Sequence, residues 1–152
     1  MRVVELSTYL DASPETVWDH VQNSKLLHYV ARGLIRFVAQ GQAFPERWAP
    51  GEYRTWMFLF GILPLGWQAI GIEMPEQPAG RYAVRDNGYG PLIKRWDHWI
   101  EINAEGTGTR YVDRVHIDAG VLTPLICGFA RLFYAHRQRR WRRLVARNFD
   151  YG

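Results

Sequence analysis

The pattern of apolar and polar positions changes its character along the chain. Between Leu34 and Ala119 short apolar or alternating stretches are separated by turn residues, whereas a long helical pattern occupies only the C-terminal end. Turn chemistry is clearest at Pro50-Gly51 and at Gly106-Thr107-Gly108. We predict strands at residues 3–10, 34–40, 52–60, 65–74, 81–86, 93–103 and 110–118. Consecutive strands joined by short turns imply an antiparallel meander.

Two short helices are predicted after the first strand. Ser13, followed by a proline, suits the N-cap of a helix that runs to about Val21. A second helix is capped by Asn23 or Ser24 and continues through Tyr29.

The C-terminal helix is predicted to begin with Thr123 as N-cap and Pro124 as first helical residue, and to run to about Asn148. At 1.5 Å per residue it would be roughly 40 Å long. Its apolar stripe takes in Leu125, Ile126, Phe129, Leu132, Phe133, Trp141, Leu144 and Val145. A single helix does not fill a large curved sheet to crystal-like density, so we expect a hollow between them. Seven Trp, eight Tyr and seven Phe favour an apolar pocket there.

Two segments resemble a known family. The opening "LDASPETVWDHV" and the stretch "YGPLIKRWDHWIEINAEGTGTRYVDRVHIDAG" are similar to the START/Bet v 1-like (SRPBCC) superfamily, the second to a bacterial ligand-binding subgroup. The motif positions are Gly90-Pro91, Trp96, His98, Gly108-Thr109, Asp113 and Val115. The resemblance implies an α+β helix-grip fold over residues 1–152, in which a curved seven-stranded antiparallel sheet wraps a long C-terminal helix. The superfamily includes lipid carriers, polyketide cyclases and hydroxylase subunits, so the fold alone does not assign the function.

One histidine and one aspartate could carry chemistry inside such a hollow. Alternation places His98 and Asp113 on the apolar faces of two neighbouring strands. If the turn centres on Gly106-Thr107, His98 lies opposite Val115 and diagonal to Asp113. The pair would then orient a ligand hydroxyl or carbonyl, or act as a general base. Alternatively, the two side chains satisfy each other as a buried polar pair that fixes the strand register.

The leading hypothesis is non-catalytic binding or carriage of a hydrophobic small molecule, such as a lipid, isoprenoid or polyketide. The alternative is a polyketide cyclase or dehydratase-like enzyme with His98 as base and Asp113 as its orienter. No cofactor is expected. For strands with apolar residues on both faces, such as 56–60, the inward parity stays open. The predicted lining is Trp56, Phe58, Trp67, Tyr82, Trp96, His98, Ile100, Tyr111, Asp113, Phe129 and Phe133.

The basic residues concentrate on the last helix, and the net charge is +4. The helix carries Arg131, Arg137, Arg139, Arg140, Arg142, Arg143 and Arg147. This cluster is interpreted as a solvated helix end that offsets the helix dipole, or as a surface for peripheral contact with anionic lipid. Nucleic acid is a third interpretation, but no recognition motif accompanies the charge, so no such partner is expected. His136 continues the predicted stripe, either as a satisfied core residue or as a contact for a ligand head group.

Several other sites are not expected. The five histidines are scattered without zinc-site spacing, and the lone Cys127 fits a reducing compartment. The N-terminus lacks an apolar signal region, so a cytoplasmic location is expected. Residues 56–72 have no ionised side chain but are shorter than the ~20 residues of a membrane-spanning helix. We interpret them as a hairpin whose tip, 61–66, is packed or forms a hydrophobic lip at the pocket mouth.

Overall fold

The computed structural model describes all residues, 1–152. It has an α+β architecture in the predicted order: one strand, two short helices, six strands and one long helix. The strands are β1 Arg2–Leu10, β2 Ile35–Ala39, β3 Gly51–Leu59, β4 Leu63–Glu73, β5 Arg81–Gly88, β6 Arg95–Glu105 and β7 Gly108–Asp118. The helices are α1 Pro14–Val21, α2 Ser24–Ala31 and α3 Thr123–Ala146, and a 3₁₀ turn at Gly120–Leu122 precedes α3. The predicted fold class is confirmed.

The seven strands form one antiparallel sheet in the order β1-β7-β6-β5-β4-β3-β2. Each strand from β2 to β7 therefore lies beside its neighbour in the sequence, while β1 pairs along its length with β7. In the β6–β7 hairpin, Glu105 pairs with Gly108 and His98 lies opposite Val115. This is the register that the predicted turn at Gly106-Thr107 required.

The two short helices begin as their caps predict. Ser13 Oγ accepts a hydrogen bond from the Thr16 amide at 3.2 Å. At the start of α2 the structure decides between the two candidate caps, because Asn23 Oδ1 accepts from the Lys25 amide at 2.9 Å. Each cap satisfies one of the amides that a helix start leaves without an intrahelical partner.

The start of α3 differs from the prediction. Thr123 is the first helical residue, and Leu122 holds the N-cap position without a side-chain hydrogen bond. The Thr123 hydroxyl donates to the Gly120 carbonyl at 2.7 Å and accepts from the Ala119 amide at 3.0 Å. It is therefore engaged in holding the 3₁₀ turn that links β7 to the helix, and it cannot also cap the helix.

The buried face of α3 is rotated from the predicted stripe. Leu125 and Leu132 were placed on that stripe but are 69% and 59% exposed. The buried residues are Thr123, Cys127, Ala130, Phe133, Tyr134, Arg137, Gln138, Trp141 and Leu144. Three of these are polar, so the apolar pattern alone does not identify the buried face. His136 lies beside it, half-buried, with Nε2 2.8 Å from the Arg32 carbonyl oxygen.

The interior divides into two apolar clusters. One surrounds Trp141 and Leu144 of α3 together with Tyr111, all fully buried. The other surrounds Phe133 and Tyr134 nearer the start of α3. No helix is both long enough and apolar enough to cross a membrane.

Candidate ligand-binding cavity

A cavity of 410 Å³ lies between the sheet and α3. Of its 25 lining residues, 21 are hydrophobic. Small-molecule sites in proteins typically occupy about 300–1,000 Å³ and combine a mainly apolar wall with a few polar groups. The volume and the wall of this cavity match that description.

Five of the eleven residues predicted from the sequence do line this cavity. They are Trp96, His98, Ile100, Phe129 and Phe133. The first three alternate along β6, and the two phenylalanines stand one turn apart on α3 with their rings stacked at 5.8 Å. Their contact with a ligand stays a prediction.

The predicted parity of β3 and β4 is wrong. Trp56, Phe58 and Trp67 point to the other face of the sheet, where Trp67 lies 4.6 Å beneath the Arg54 guanidinium. Their neighbours face inward instead: Met57, Leu59, Leu65, Gln68 and Ile70. Both strands are apolar on both faces, so alternation could not choose between them. The strand register also shifts between Met57 and Phe58.

Three further predicted residues lie on the inner face but outside the cavity. Tyr82 stacks on Trp18 with ring centroids 5.4 Å apart. Tyr111 packs against Trp141 at 5.2 Å, and Asp113 lies behind His98, fully buried. The region beyond the cavity is filled by these side chains together with the large Trp141 ring, so it leaves no room for a ligand.

His98 and Asp113 form the expected hydrogen-bonded pair. His98 Nε2 lies 2.8 Å from Asp113 Oδ1, which also accepts from the Tyr111 hydroxyl at 3.3 Å. Asp113 Oδ2 accepts from Gln138 Nε2 at 2.9 Å. Burial lowers the pKa of His98, although the hydrogen bond that the ring donates to Asp113 opposes this. A neutral imidazole that donates from Nε2 leaves Nδ1 as a free acceptor at the cavity wall.

Arg137 is the main functional candidate that sequence reasoning missed. It is 5% exposed, lines the cavity and has no carboxylate oxygen within 4.0 Å. Its guanidinium lies 5.6 Å from the ring centroids of Phe133 and Tyr134, and Nε has no hydrogen-bond partner. The sequence grouped it with six other arginines. The available signal was its place four residues after Phe133 and four before Trp141, on one helical face.

Two other polar residues join Arg137 in the cavity wall. Asp86 stands directly opposite His98 in the β5–β6 ladder, and its Oδ1 accepts from the Gly71 amide at 2.9 Å. Burial raises the pKa of Asp86 to about 7, against the opposing effects of that hydrogen bond and of the Arg137 charge. Gln68 is buried on β4, and its Nε2 has no partner. Both could have been predicted from strand alternation, because Asp86 lies two residues from the inward-facing Val84 on β5 and Gln68 lies two residues from the inward-facing Ile70 on β4.

Exposed apolar side chains border the cavity. Ile62 and Leu63, at the tip of the β3–β4 hairpin, are 76% and 52% exposed. The flanking residues Leu59 and Leu65 line the cavity, as does the exposed Leu125 of α3. The tip at 61–66 is therefore an open hydrophobic lip and not a packed turn.

Comparison with models of protein families assigns the sequence to one family. The family model described as "Domain of unknown function (DUF8410)" matches residues 8–145. The chain belongs to the DUF8410 family. No curated protein matches it.

Solved structures resemble this DUF8410 chain throughout its length. Protein MLL2253 from Mesorhizobium loti is 14% identical with a TM-score of 0.67, and the match covers 96% of this chain and 98% of that one. A START superfamily protein from Mycobacterium smegmatis is 13% identical, with coverage of 95% and 97% and a TM-score of 0.62. Zhui aromatase/cyclase from Streptomyces sp. R1128 is 11% identical, with coverage of 98% and 96% and a TM-score of 0.62. At these identities the likeness shows a START/SRPBCC-like fold.

The DUF8410 domain thus presents an apolar cavity with a small polar end in a START-like fold. That end consists of Asp86, His98 and Arg137, with the rings of Tyr134 and Trp96 beside them. No three His, Cys, Asp or Glu side chains lie together as a metal site would require. The chemistry available to this wall is therefore hydrogen bonding, apolar contact and proton exchange at His98 or Asp86.

Proposed function

We propose that this DUF8410 protein binds or carries a hydrophobic small molecule, of the lipid, isoprenoid or polyketide kind, inside its cavity. The observation that supports this proposal is the 410 Å³ space with 21 hydrophobic residues in its wall. Empty apolar space of this size weakens the packing of a protein core, because the lining atoms lose their dispersion contacts. A ligand that fills it recovers those contacts.

Affinity would come mainly from apolar area removed from water. Burial contributes about 25 cal/mol per Å², so each ~100 Å² of ligand surface gives roughly 2.5 kcal/mol before the costs of association. The exposed lip formed by Ile62 and Leu63 lies beside the lining residues Leu59 and Leu65. An apolar ligand would enter there, since its surface stays in contact with hydrophobic side chains as it leaves water.

A matched pair of substitutions on β3 tests the proposal. Met57 faces the cavity and Phe58, its neighbour, faces outward near Arg36. Met57→Trp should occupy part of the cavity and reduce binding of an apolar fluorescent probe such as 1-anilinonaphthalene-8-sulfonate. Phe58→Trp should leave binding unchanged. Equal binding by the two folded variants, together with no apolar compound found by native mass spectrometry of the purified protein, would refute the proposal.

The alternative proposal is an enzyme of the polyketide cyclase kind, with His98 as base. It is supported by the free Nδ1 of His98 at the cavity wall and by the 2.8 Å hydrogen bond to Asp113 that orients the ring. The likeness to an aromatase/cyclase structure is consistent with it. His98→Ala separates the two functions. A carrier should keep its affinity within about tenfold, whereas an enzyme acting on a poly-β-ketone substrate should lose turnover by 10²-fold or more while still binding.

Peripheral contact with anionic membranes is a separate proposal for the arginine-rich end of α3. Several arginines there have structural partners, because Arg140 Nε donates to the Tyr29 carbonyl at 2.7 Å and Arg142 donates to Thr8 Oγ1 at 2.9 Å. Arg131, Arg139 and Arg143 remain exposed without a carboxylate partner. The arginines with partners need no further explanation. The exposed arginines are the ones that support contact with a lipid surface.

A further inference from the structure

Two polar side chains of the cavity wall keep hydrogen-bond donors unused. Four buried side-chain polar atoms of the protein lack a partner, namely Tyr29 Oη, Gln68 Nε2, Arg137 Nε and Trp141 Nε1. Of these four residues, Gln68 and Arg137 line the cavity, while Tyr29 and Trp141 do not. Buried polar groups are nearly always paired, so incompletely paired polar side chains beside a cavity favour an acceptor that arrives with the ligand.

The burial of Arg137 is costly without such an acceptor. A guanidinium taken out of water loses its hydration, and a carboxylate normally compensates for that loss. Here the compensation comes from the faces of Phe133 and Tyr134, each 5.6 Å from the guanidinium carbon, from the nearby Tyr111 hydroxyl and from the charge of Asp113, which does not touch it. Contacts with aromatic rings do not occupy the N–H donors of the guanidinium. A ligand oxygen against the guanidinium would supply the acceptor that these rings do not.

The charges near Arg137 argue that this oxygen is uncharged. Asp113 accepts from His98, Tyr111 and Gln138, the arrangement of an ionised carboxylate. Its negative charge already attracts the Arg137 cation, and Asp86 is a second carboxyl group facing the same space. A ligand carboxylate would add another negative charge to a buried region that holds a single arginine. A carbonyl oxygen accepts the same hydrogen bond without that repulsion.

We propose that the ligand is an uncharged apolar molecule with a carbonyl oxygen, such as a ketone, ester or quinone, and that this oxygen accepts a hydrogen bond from the Arg137 guanidinium. Gln68 is a second incompletely paired polar side chain along the wall. It lies four residues before Ile72, the β4 partner of Asp86, or about 13 Å along the strand toward the lip. The inference rests on the proposed binding function and specifies the ligand class.

Three probes of equal chain length test the ligand class: dodecane, methyl dodecanoate and dodecanoate. Trp96 and Trp48 line the cavity, so a change in intrinsic tryptophan emission, as a probe replaces water around these rings, reports binding. Methyl dodecanoate should bind about tenfold more tightly than dodecane, the effect of one hydrogen bond to a charged donor. Dodecanoate should bind more weakly than the ester. Tighter binding of dodecanoate, or equal binding of ester and alkane, would overturn the inference while leaving the carrier function intact.

A variant pair then assigns the preference to one side chain. In Arg137→Met the ester should lose its tenfold advantage over dodecane, whereas Arg131→Met, an exposed position on the same helix, should keep it. An undiminished ester preference in Arg137→Met would overturn the role of Arg137. If that variant fails to fold, the comparison of the three probes on the native protein still decides the ligand class. If none of the three probes binds the native protein, the proposed function fails and this inference falls with it.

Discussion

The two halves of α3 meet the same sheet in different ways. In the C-terminal half Trp141 and Leu144 are completely buried and pack against Tyr111, so the interior is solid there. In the N-terminal half Ile126, Phe129 and Phe133 border the cavity. The difference follows from side-chain size, because the residues that face the sheet between them include the small Cys127 and Ala130. In the C-terminal half the Trp141 ring fills the space between helix and sheet. In the N-terminal half the small side chains leave that space open.

The comparison teaches that stability and binding depend on different parts of one helix. The filled half supplies packing that holds the fold, while the open half provides room that a ligand can use. The hydrogen-bonded network of His98, Asp113, Gln138 and Tyr111 lies where the two meet. Substitutions on either side of that boundary should therefore have separable effects.

The largest effect is expected from truncating the solid half. Trp141→Ala should lower the free energy of unfolding by about 4 kcal/mol, since it removes a fully buried ring and leaves a void. Phe129→Ala, at the wall of an existing cavity, should cost only about 1 kcal/mol, because that half-buried ring already lacks neighbours on one side. Urea denaturation of both variants measures the difference. Equal losses would mean that the N-terminal half is packed as tightly as the C-terminal half.

How far the sequence predicts this fold is clear from the same helix. Strand alternation and turn residues gave the element order, the turn at Gly106-Thr107 and the pairing of His98 with Asp113, because these depend on local periodicity. The face of α3 was harder to predict. Its buried positions include Arg137 and Gln138, whose polarity hides them from a search for apolar stripes.

The wall of the cavity was predictable only in part, for a similar reason. On β6, polar and apolar residues alternate, and Trp96, His98 and Ile100 were placed correctly. On β3 and β4, both faces are apolar and either parity fits, so Met57 and Ile70 were missed while Trp56 and Trp67 were chosen. The cavity ends where the Trp141 ring fills the interior, and a local sequence pattern cannot predict that position. For this reason Tyr111 was wrongly expected to line the cavity.

The network at the boundary gives the next largest effect. Asp113→Ala should lower the free energy of unfolding by about 3 kcal/mol, because it leaves His98, Tyr111 and Gln138 without their shared acceptor. Asp11→Ala, at an exposed position without a side-chain hydrogen bond, is the matched control and should change stability by less than about 0.5 kcal/mol. Chemical denaturation measures both. A loss of unfolding free energy as small as that of the control would show that the network does not stabilise the fold.

The polar end of the open half should make stability depend on pH. Burial raises the pKa of Asp86 to about 7, above about 3.9 in an unfolded chain. The folded state then holds a proton that the unfolded state releases, so this contribution is complete below about pH 4 and is lost as the pH rises to about 7.

Asp86→Asn isolates that contribution from its surroundings. The groups that face Asp86 are the Gly71 amide on β4, His98 on β6, and Arg137 and Tyr134 on α3, with Asp97 acting at longer range. His98 also titrates, with its pKa lowered by burial. The difference between the two proteins is therefore the quantity to measure. Denaturation midpoints should fall for the native protein relative to Asp86→Asn between pH 4 and 7, and parallel curves would contradict the prediction.

The smallest effect should distinguish the two ends of α3 at a membrane surface. The basic end carries the exposed Arg139 and Arg143. The opposite end exposes Leu125, which lines the cavity, and Val121 in the 3₁₀ turn that precedes the helix. If the basic end makes the contact, replacing both arginines with Gln should weaken binding to phosphatidylserine vesicles by about fivefold per residue, the effect of ~1 kcal/mol each, and high salt should abolish it. Val121→Ser with Leu125→Ser should leave it unchanged. Vesicle sedimentation at low and high salt decides the matter. Binding that resists salt and is lost only in the serine variant would assign the contact to the apolar end.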